Sequence, residues 1–120
     1  MTKFQHILLV DKQPDVAEML RGVLEYYGYR VSVAACDGDS RSILSQQSVD
    51  LLIADVALRS DTGLALADLA ETLGIPSLLI SGDIERMNAL EAGPRPFIAK
   101  PFRLAQFTEV ISGILTKLKG

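Results

Sequence analysis

Tryptophan is absent from this chain, cysteine occurs once (Cys36) and histidine once (His6). A single cysteine excludes an internal disulfide and fits a reducing compartment. Nothing basic lies next to Cys36 to activate a thiolate, so it is expected to be a buried, inert thiol. One histidine does not make a metal site, and His6 is expected to be structural or exposed. No apolar run approaches the roughly twenty residues that span a bilayer, and no secretory leader pattern is present. A soluble cytoplasmic domain is therefore expected, with no membrane partner. The net charge is −3 and the basic residues are scattered. Only Lys117 and Lys119 make a small basic end, which suits the negative pole of a helix. Nothing resembles the clustered Lys and Arg of a nucleic-acid face.

What remains is a chain of 120 residues with 48% apolar content, enough for one domain (1–120) with a real core. Strand-like runs alternate with helix-period segments five times. The pattern predicts strands at 5–10, 29–35, 49–54, 77–80 and 97–99. It predicts helices at 14–27, 39–47, 64–73, about 83–92 and 104–118. Pro14 suits the first turn of the first helix and Gly28 a left-handed stop after it. Gly22, inside that helix, is expected to allow close packing against a neighbour. Tyr29–Ala35 alternates polar and apolar residues, as an edge strand does. Asp37-Gly38 reads as a turn. Val49–Ala54 is almost continuously apolar, as in a strand covered on both faces. Ser81 or Asp83 is expected to cap the fourth helix, which Gly93-Pro94 ends. Strands alternating with helices imply an α/β fold, a parallel sheet with helices on both sides.

The apolar runs share a further property. Ile7-Leu8-Leu9-Val10 leads into Asp11, Leu51-Leu52-Ile53-Ala54 into Asp55, Leu78-Leu79-Ile80 into Ser81, and Phe97-Ile98-Ala99 into Lys100. In a parallel sheet the carboxyl ends of the strands share one rim, and ligands bind in the crevice there. Two carboxylates, a hydroxyl and an ammonium would meet in one cleft. That set suits phosphoryl transfer to a carboxylate, which asks for positioning and cations rather than covalent work by the protein.

At these residues the chain resembles the receiver domain of bacterial two-component response regulators. The matching stretches are Ile7–Asp15, Asp50–Asp55 with Gly63 eight residues on, Ile80-Ser81-Gly82 and Ala99-Lys100-Pro101-Phe102. The resemblance implies a flavodoxin-like (βα)5 doubly wound sheet in the order 2-1-3-4-5. It implies Asp55 as the phosphoacceptor, charged by a histidine kinase or phosphotransfer protein. Ser81 matches the hydroxyl that grips the phosphoryl oxygen, and Lys100 the lysine that pairs with it. Asp11, Asp55 and the Ala57 backbone carbonyl match the Mg²⁺ ligands. Lys100-Pro101 matches a peptide bond usually cis, and Phe97 an aromatic that swings with Ser81 to remodel the face made by segment 83–92, the fifth strand and the last helix. That face implies a downstream protein partner and possible homodimers. Such a domain is no enzyme beyond its own phosphorylation and dephosphorylation. No DNA-binding segment lies within the 120 residues: if they are the whole protein, output is expected through docking to another protein, and if they are a piece of a longer one, the effector lies elsewhere.

The chain departs from the family at Asp11-Lys12-Gln13, where two or three acids usually stand in a row. Asp11 and Asp55 against Lys12 and Lys100 sum to zero, which weakens the pull on Mg²⁺. Lys12 supplies charge but not coordination geometry. Arg59 stands where proline is frequent, which loosens that loop. Asp61 and Asp83 add acids near the cleft. The alternative is a degenerate receiver acting as a phosphorylation-independent interaction module, with Lys12–Asp55 as an internal ion pair. A haloacid-dehalogenase-like phosphatase wants an acid where Ala57 stands, and a flavin site wants a Ser/Thr/Gly-rich cradle that the first loop lacks.

Overall fold

The computed structural model describes residues 5–56, 62–82 and 95–119. Five strands form one sheet: β1 (His6–Val10), β2 (Arg30–Ala34), β3 (Leu51–Asp55), β4 (Ser77–Ser81) and β5 (Phe97–Ala99). Every neighbouring pair is parallel, in the order β2-β1-β3-β4-β5. This is the doubly wound flavodoxin-like arrangement. The helices are α1 (Pro14–Tyr26), α2 (Asp37–Gln46), α3 (Thr62–Thr72) and α4 (Leu104–Lys119). The helix expected at 83–92 lies outside the described residues.

The two-residue repeat of the strands divides the core into two layers. Ile7, Leu9, Leu51, Ile53, Leu78, Ile80 and Ile98 face one side, against Ala17, Leu20 and Leu24 of α1 and Phe107, Ile111 and Leu115 of α4. Leu8, Val10, Leu52, Ala54 and Leu79 face the other, against Leu44 of α2 and Leu66, Ala67 and Ala70 of α3. The inner strands are apolar at nearly every position because both faces are covered. β2 and β5 are the outer strands, and in β2 only the last residue, Ala34, is buried.

Four local expectations change. Gly22 is exposed, and a Cβ there would meet nothing within 4 Å; it permits no close packing. Cys36 is exposed rather than buried, because it precedes α2 in extended backbone at the helix start. Asp37-Gly38 opens α2 instead of making a turn. β3 and β4 each run one residue further than expected, so Asp55 and Ser81 are the last residues of their strands. Gly28 does stop α1, with φ 92° in the left-handed region. Among the described residues no helix is long and apolar enough to cross a membrane.

Candidate functional site

The chain crosses over between β1 and β3, which are neighbours in the sheet. Strand ends diverge there, and the crevice between them is lined by whatever follows the strands. Asp11 follows β1. Its backbone N–H donates to the Ala34 carbonyl at 3.2 Å, so the strand pairing carries one residue past β1 and draws the side chain inward. Asp55 ends β3, and the next N–H, of Val56, donates to the Ile80 carbonyl at 2.7 Å. Lys100 follows β5, its N–H donating to the Ser81 carbonyl at 2.8 Å. The sheet ladder itself thus fixes the origin of each of these side chains.

Two of the four expected side chains are in direct contact. Lys100 Nζ donates to Asp55 Oδ2 at 3.1 Å, with both side chains partly exposed. Gly82 backs this lysine: a Cβ on it would lie 3.5 Å from Lys100 Cβ, in ordinary contact. Ser81 is fully buried at the end of β4, in register with Ala99. The Lys100–Pro101 peptide is cis. Phe97 is half-buried and packs against the layer that faces α2 and α3.

Asp11 is the unusual member. It is 3% exposed. Its Oδ1 accepts the Gln13 N–H at 2.9 Å, a local turn that bends the chain from β1 into α1. Its Oδ2 is buried with no hydrogen-bond partner among the described residues. Burial pushes the Asp11 carboxyl above its ordinary value of 3.8; the Gln13 N–H opposes this, the Asp55 charge adds to it and Lys100 opposes it. A buried carboxylate oxygen with nothing to bind is a place where a cation would be stabilised.

Lys12 does not serve as that cation here. It is exposed, and among the described residues it makes no ion pair; Asp55 is paired with Lys100 instead. The Lys12–Asp55 pair of the degenerate alternative is therefore not formed. The reason is geometric: adjacent residues leaving a strand point to opposite sides, so with Asp11 turned into the crevice Lys12 turns out of it. Ala57, Arg59, Asp61 and Asp83 lie outside the described residues. No group of three or more Asp, Glu, His or Cys side chains able to hold a metal occurs among the described residues.

Two contributors carried no signal of their own in the sequence beyond their place in a motif. Gln13 supplies the backbone donor to Asp11. Gly63, the second residue of α3, lies against the Asp55 carbonyl.

Residues 7–112 match the family of the response regulator receiver domain. The chain belongs to this family. This receiver is 31% identical over 117 residues to the TorCAD operon transcriptional regulatory protein TorR of Escherichia coli (strain K12), covering 94% of this chain and 51% of that protein. It is 32% identical over 108 residues to the regulatory protein VirG of Agrobacterium tumefaciens (strain 15955), covering 86% and 40%. The receiver thus spans about half the length of the curated relatives it matches. Among solved structures, a putative response regulator from Chloroflexus aurantiacus J-10-fl superposes with a TM-score of 0.81 at 32% identity, over 95% of this chain and 99% of that one. A CheY-like receiver domain protein from Methanospirillum hungatei JF-1 gives 0.84 at 25% identity, over 98% of each chain. The signal receiver domain of a signal transduction histidine kinase from Syntrophus aciditrophicus gives 0.82 at 28% identity, over 96% and 92%.

Proposed function

We propose that this receiver accepts a phosphoryl group on Asp55 from a histidine kinase or phosphotransfer protein and passes the signal to another protein by changing a docking face. The observation that carries this reading is the 3.1 Å contact between Lys100 Nζ and Asp55 Oδ2 at the strand-end crevice. Lys100 holds one carboxylate oxygen and leaves the other to attack phosphorus. The new O–P bond forms as the donor's P–N bond breaks, and the donor imidazole leaves with the electron pair. Lys100 then follows the added charge, and the Ser81 hydroxyl donates to a phosphoryl oxygen. Positioning and charge supply the acceleration. An apolar groove lined by Gln13, Val16, Met19, Lys100, Phe102 and Leu104 adjoins the lysine and offers the donor protein a seat.

Mg²⁺ would be held through the unpartnered Oδ2 of Asp11 together with Asp55; the family resemblance adds the Ala57 carbonyl as a third protein ligand. When bound, it would neutralise charge on the phosphoryl oxygens. Two carboxylates are within what this ion accepts, but the neighbouring Lys12 charge makes binding weak. Phosphorylation is then slow or independent of metal. The switch residues are Ser81 and Phe97, and the output face is segment 83–92 with β5 and α4, which also suits a homodimer. The receiver acts in the cytoplasm, without contacting nucleic acid directly.

Intact mass after treatment with acetyl phosphate, with and without Mg²⁺, tests the reading. A gain of one phosphoryl group that is lost in Asp55→Asn supports it. A second reading, a phosphorylation-independent interaction module, is favoured by Lys12, a cation exposed beside Asp11 where receivers usually carry a second acid. The absence of any mass gain, with acetyl phosphate or with a kinase, would overturn the acceptor assignment and support that second reading. Calorimetric Mg²⁺ affinity below the millimolar range would refute the weak metal site.

A further inference from the structure

We infer that Gly63 is a positioning residue for Asp55: its missing side chain lets the start of α3 seat directly on the Asp55 carbonyl and so sets where the carboxylate stands relative to Lys100. The inference rests on the assignment of Asp55 as the acceptor. Gly63 is buried in the first turn of α3. A Cβ at this position would lie 2.8 Å from the Asp55 carbonyl oxygen, and 3.4 Å from both the Asp55 carbonyl carbon and Val56 Cγ2. Non-bonded carbon contacts are comfortable only at roughly 3.5–4.0 Å, so the added methyl cannot be absorbed without movement.

The question is which partner would yield. The helix is held from below: Leu66, Ala67 and Ala70 are each fully buried against the layer made by Leu52, Ala54 and Leu79. Two of these three are alanines, which bring the helix backbone close to the sheet and leave no long side chain to bend. Val56, just beyond Asp55, is buried and tied by its N–H to the Ile80 carbonyl. The oxygen met at 2.8 Å belongs to the peptide between Asp55 and Val56. The other end of that peptide is the Val56 N–H held by Ile80, so the pressure of an added methyl strains this bond and turns the Asp55 side chain about the end of β3. The residue that abuts the acceptor's main chain is thus eight positions away in the sequence, and any side chain on it is felt at the reacting carboxylate.

The other glycines supply an internal contrast. Gly113, exposed within α4, has nothing within 4 Å of an ideal Cβ. Alanine there should only favour the helix. The test compares wild type, Gly63→Ala, and Gly63→Ala combined with Gly113→Ala to restore the melting temperature. Two readouts are taken on the intact receiver: the rate of mass gain against acetyl phosphate concentration, and the ¹³C shifts of the Asp55 carbonyl and side-chain carboxyl. The expected result is a roughly tenfold lower maximal rate with KM for acetyl phosphate little changed, and moved Asp55 shifts, all persisting in the stabilised double variant. Recovery of the wild-type rate in the double variant would overturn the inference, as would Asp55 shifts that stay in place. If wild type takes no phosphoryl group at all, the acceptor assignment falls separately, and the Asp55 shifts alone decide whether Gly63 positions that residue.

Discussion

The two ends of the sheet bury polar groups to the same degree and treat them in opposite ways. His6, where β1 begins, is 4% exposed, and Asp11, just past the end of β1, is 3% exposed. Around His6 every group is answered. Nδ1 lies 2.9 Å from the Ser48 carbonyl and Nε2 2.7 Å from the Ser32 hydroxyl, while the His6 backbone N–H donates to Asp50 Oδ2 at 2.7 Å. The carbonyl can only accept, so the Nδ1–H tautomer completes the set, with Ser32 donating to Nε2. Around Asp11 one carboxylate oxygen has no partner among the described residues, and burial holds its proton more tightly than usual. A satisfied network fixes the sheet; an unsatisfied one at equal burial leaves free energy for a visitor to collect. One end of the sheet is closed by its own hydrogen bonds, and the other keeps a buried carboxylate oxygen open.

That contrast breaks if either end does the other's work. The largest expected effect is at the strand-end cleft. Lys100→Met should slow phosphoryl acceptance about a hundredfold while changing unfolding free energy by about 1 kcal/mol or less, because a single partly exposed pair adds little to stability. Mass-gain kinetics and urea denaturation measure the two. Next comes His6→Ala, which strands the Ser48 carbonyl and the Ser32 hydroxyl. It should cost about 2 kcal/mol in urea with an unchanged acceptance rate in the folded protein; a slowed rate would erase the division of labour.

Asp11→Asn probes the unsatisfied oxygen. The Asp11 carboxyl titrates above its unfolded value of 3.8, so the folded state binds the extra proton. Its contribution to stability is present at low pH and declines as pH rises from the ordinary aspartate range through the raised folded value. In chelator, the variant should gain about 1 kcal/mol near neutral pH and lose this decline, as followed by urea midpoints from about pH 4 to about pH 7. A variant less stable than wild type at neutral pH would mean that Asp11 is already satisfied. The smallest effect is expected far from both ends: Gly22→Ala should add up to about 1 kcal/mol to thermal stability and leave acceptance untouched.

Much of the fold was readable because it rests on periodicity. The apolar runs ending at Val10, Ala54 and Ile80 mark the three inner strands, and the alternation in 29–35 marks one of the two outer ones. The order of those strands was not readable from spacing; it came with the resemblance at Asp11, Asp55, Ser81 and Lys100. Convergence of Asp55 and Lys100 followed from one rule about strand ends. What escaped were properties set by contacts between distant segments. The partners of His6 come from Ser32, Ser48 and Asp50, on segments that nothing in the sequence pairs with it. Cys36 was misplaced because residue type favours burial, whereas its position at a helix start decided exposure. Gly22 and Gly63 look alike in a sequence, yet one faces open space and the other a carbonyl oxygen. Lys12 was given a pocket role by its neighbour Asp11, when strand geometry turns successive side chains apart.

The outer flanks of the sheet also constrain how copies of this domain meet. β5 is three residues long, and β2, on the other side, begins with the exposed charge of Arg30. Such borders give an incoming β-segment little backbone to zip onto. Edge-to-edge pairing of copies is thereby disfavoured, and the helices that cover the two faces are left as the broader surfaces.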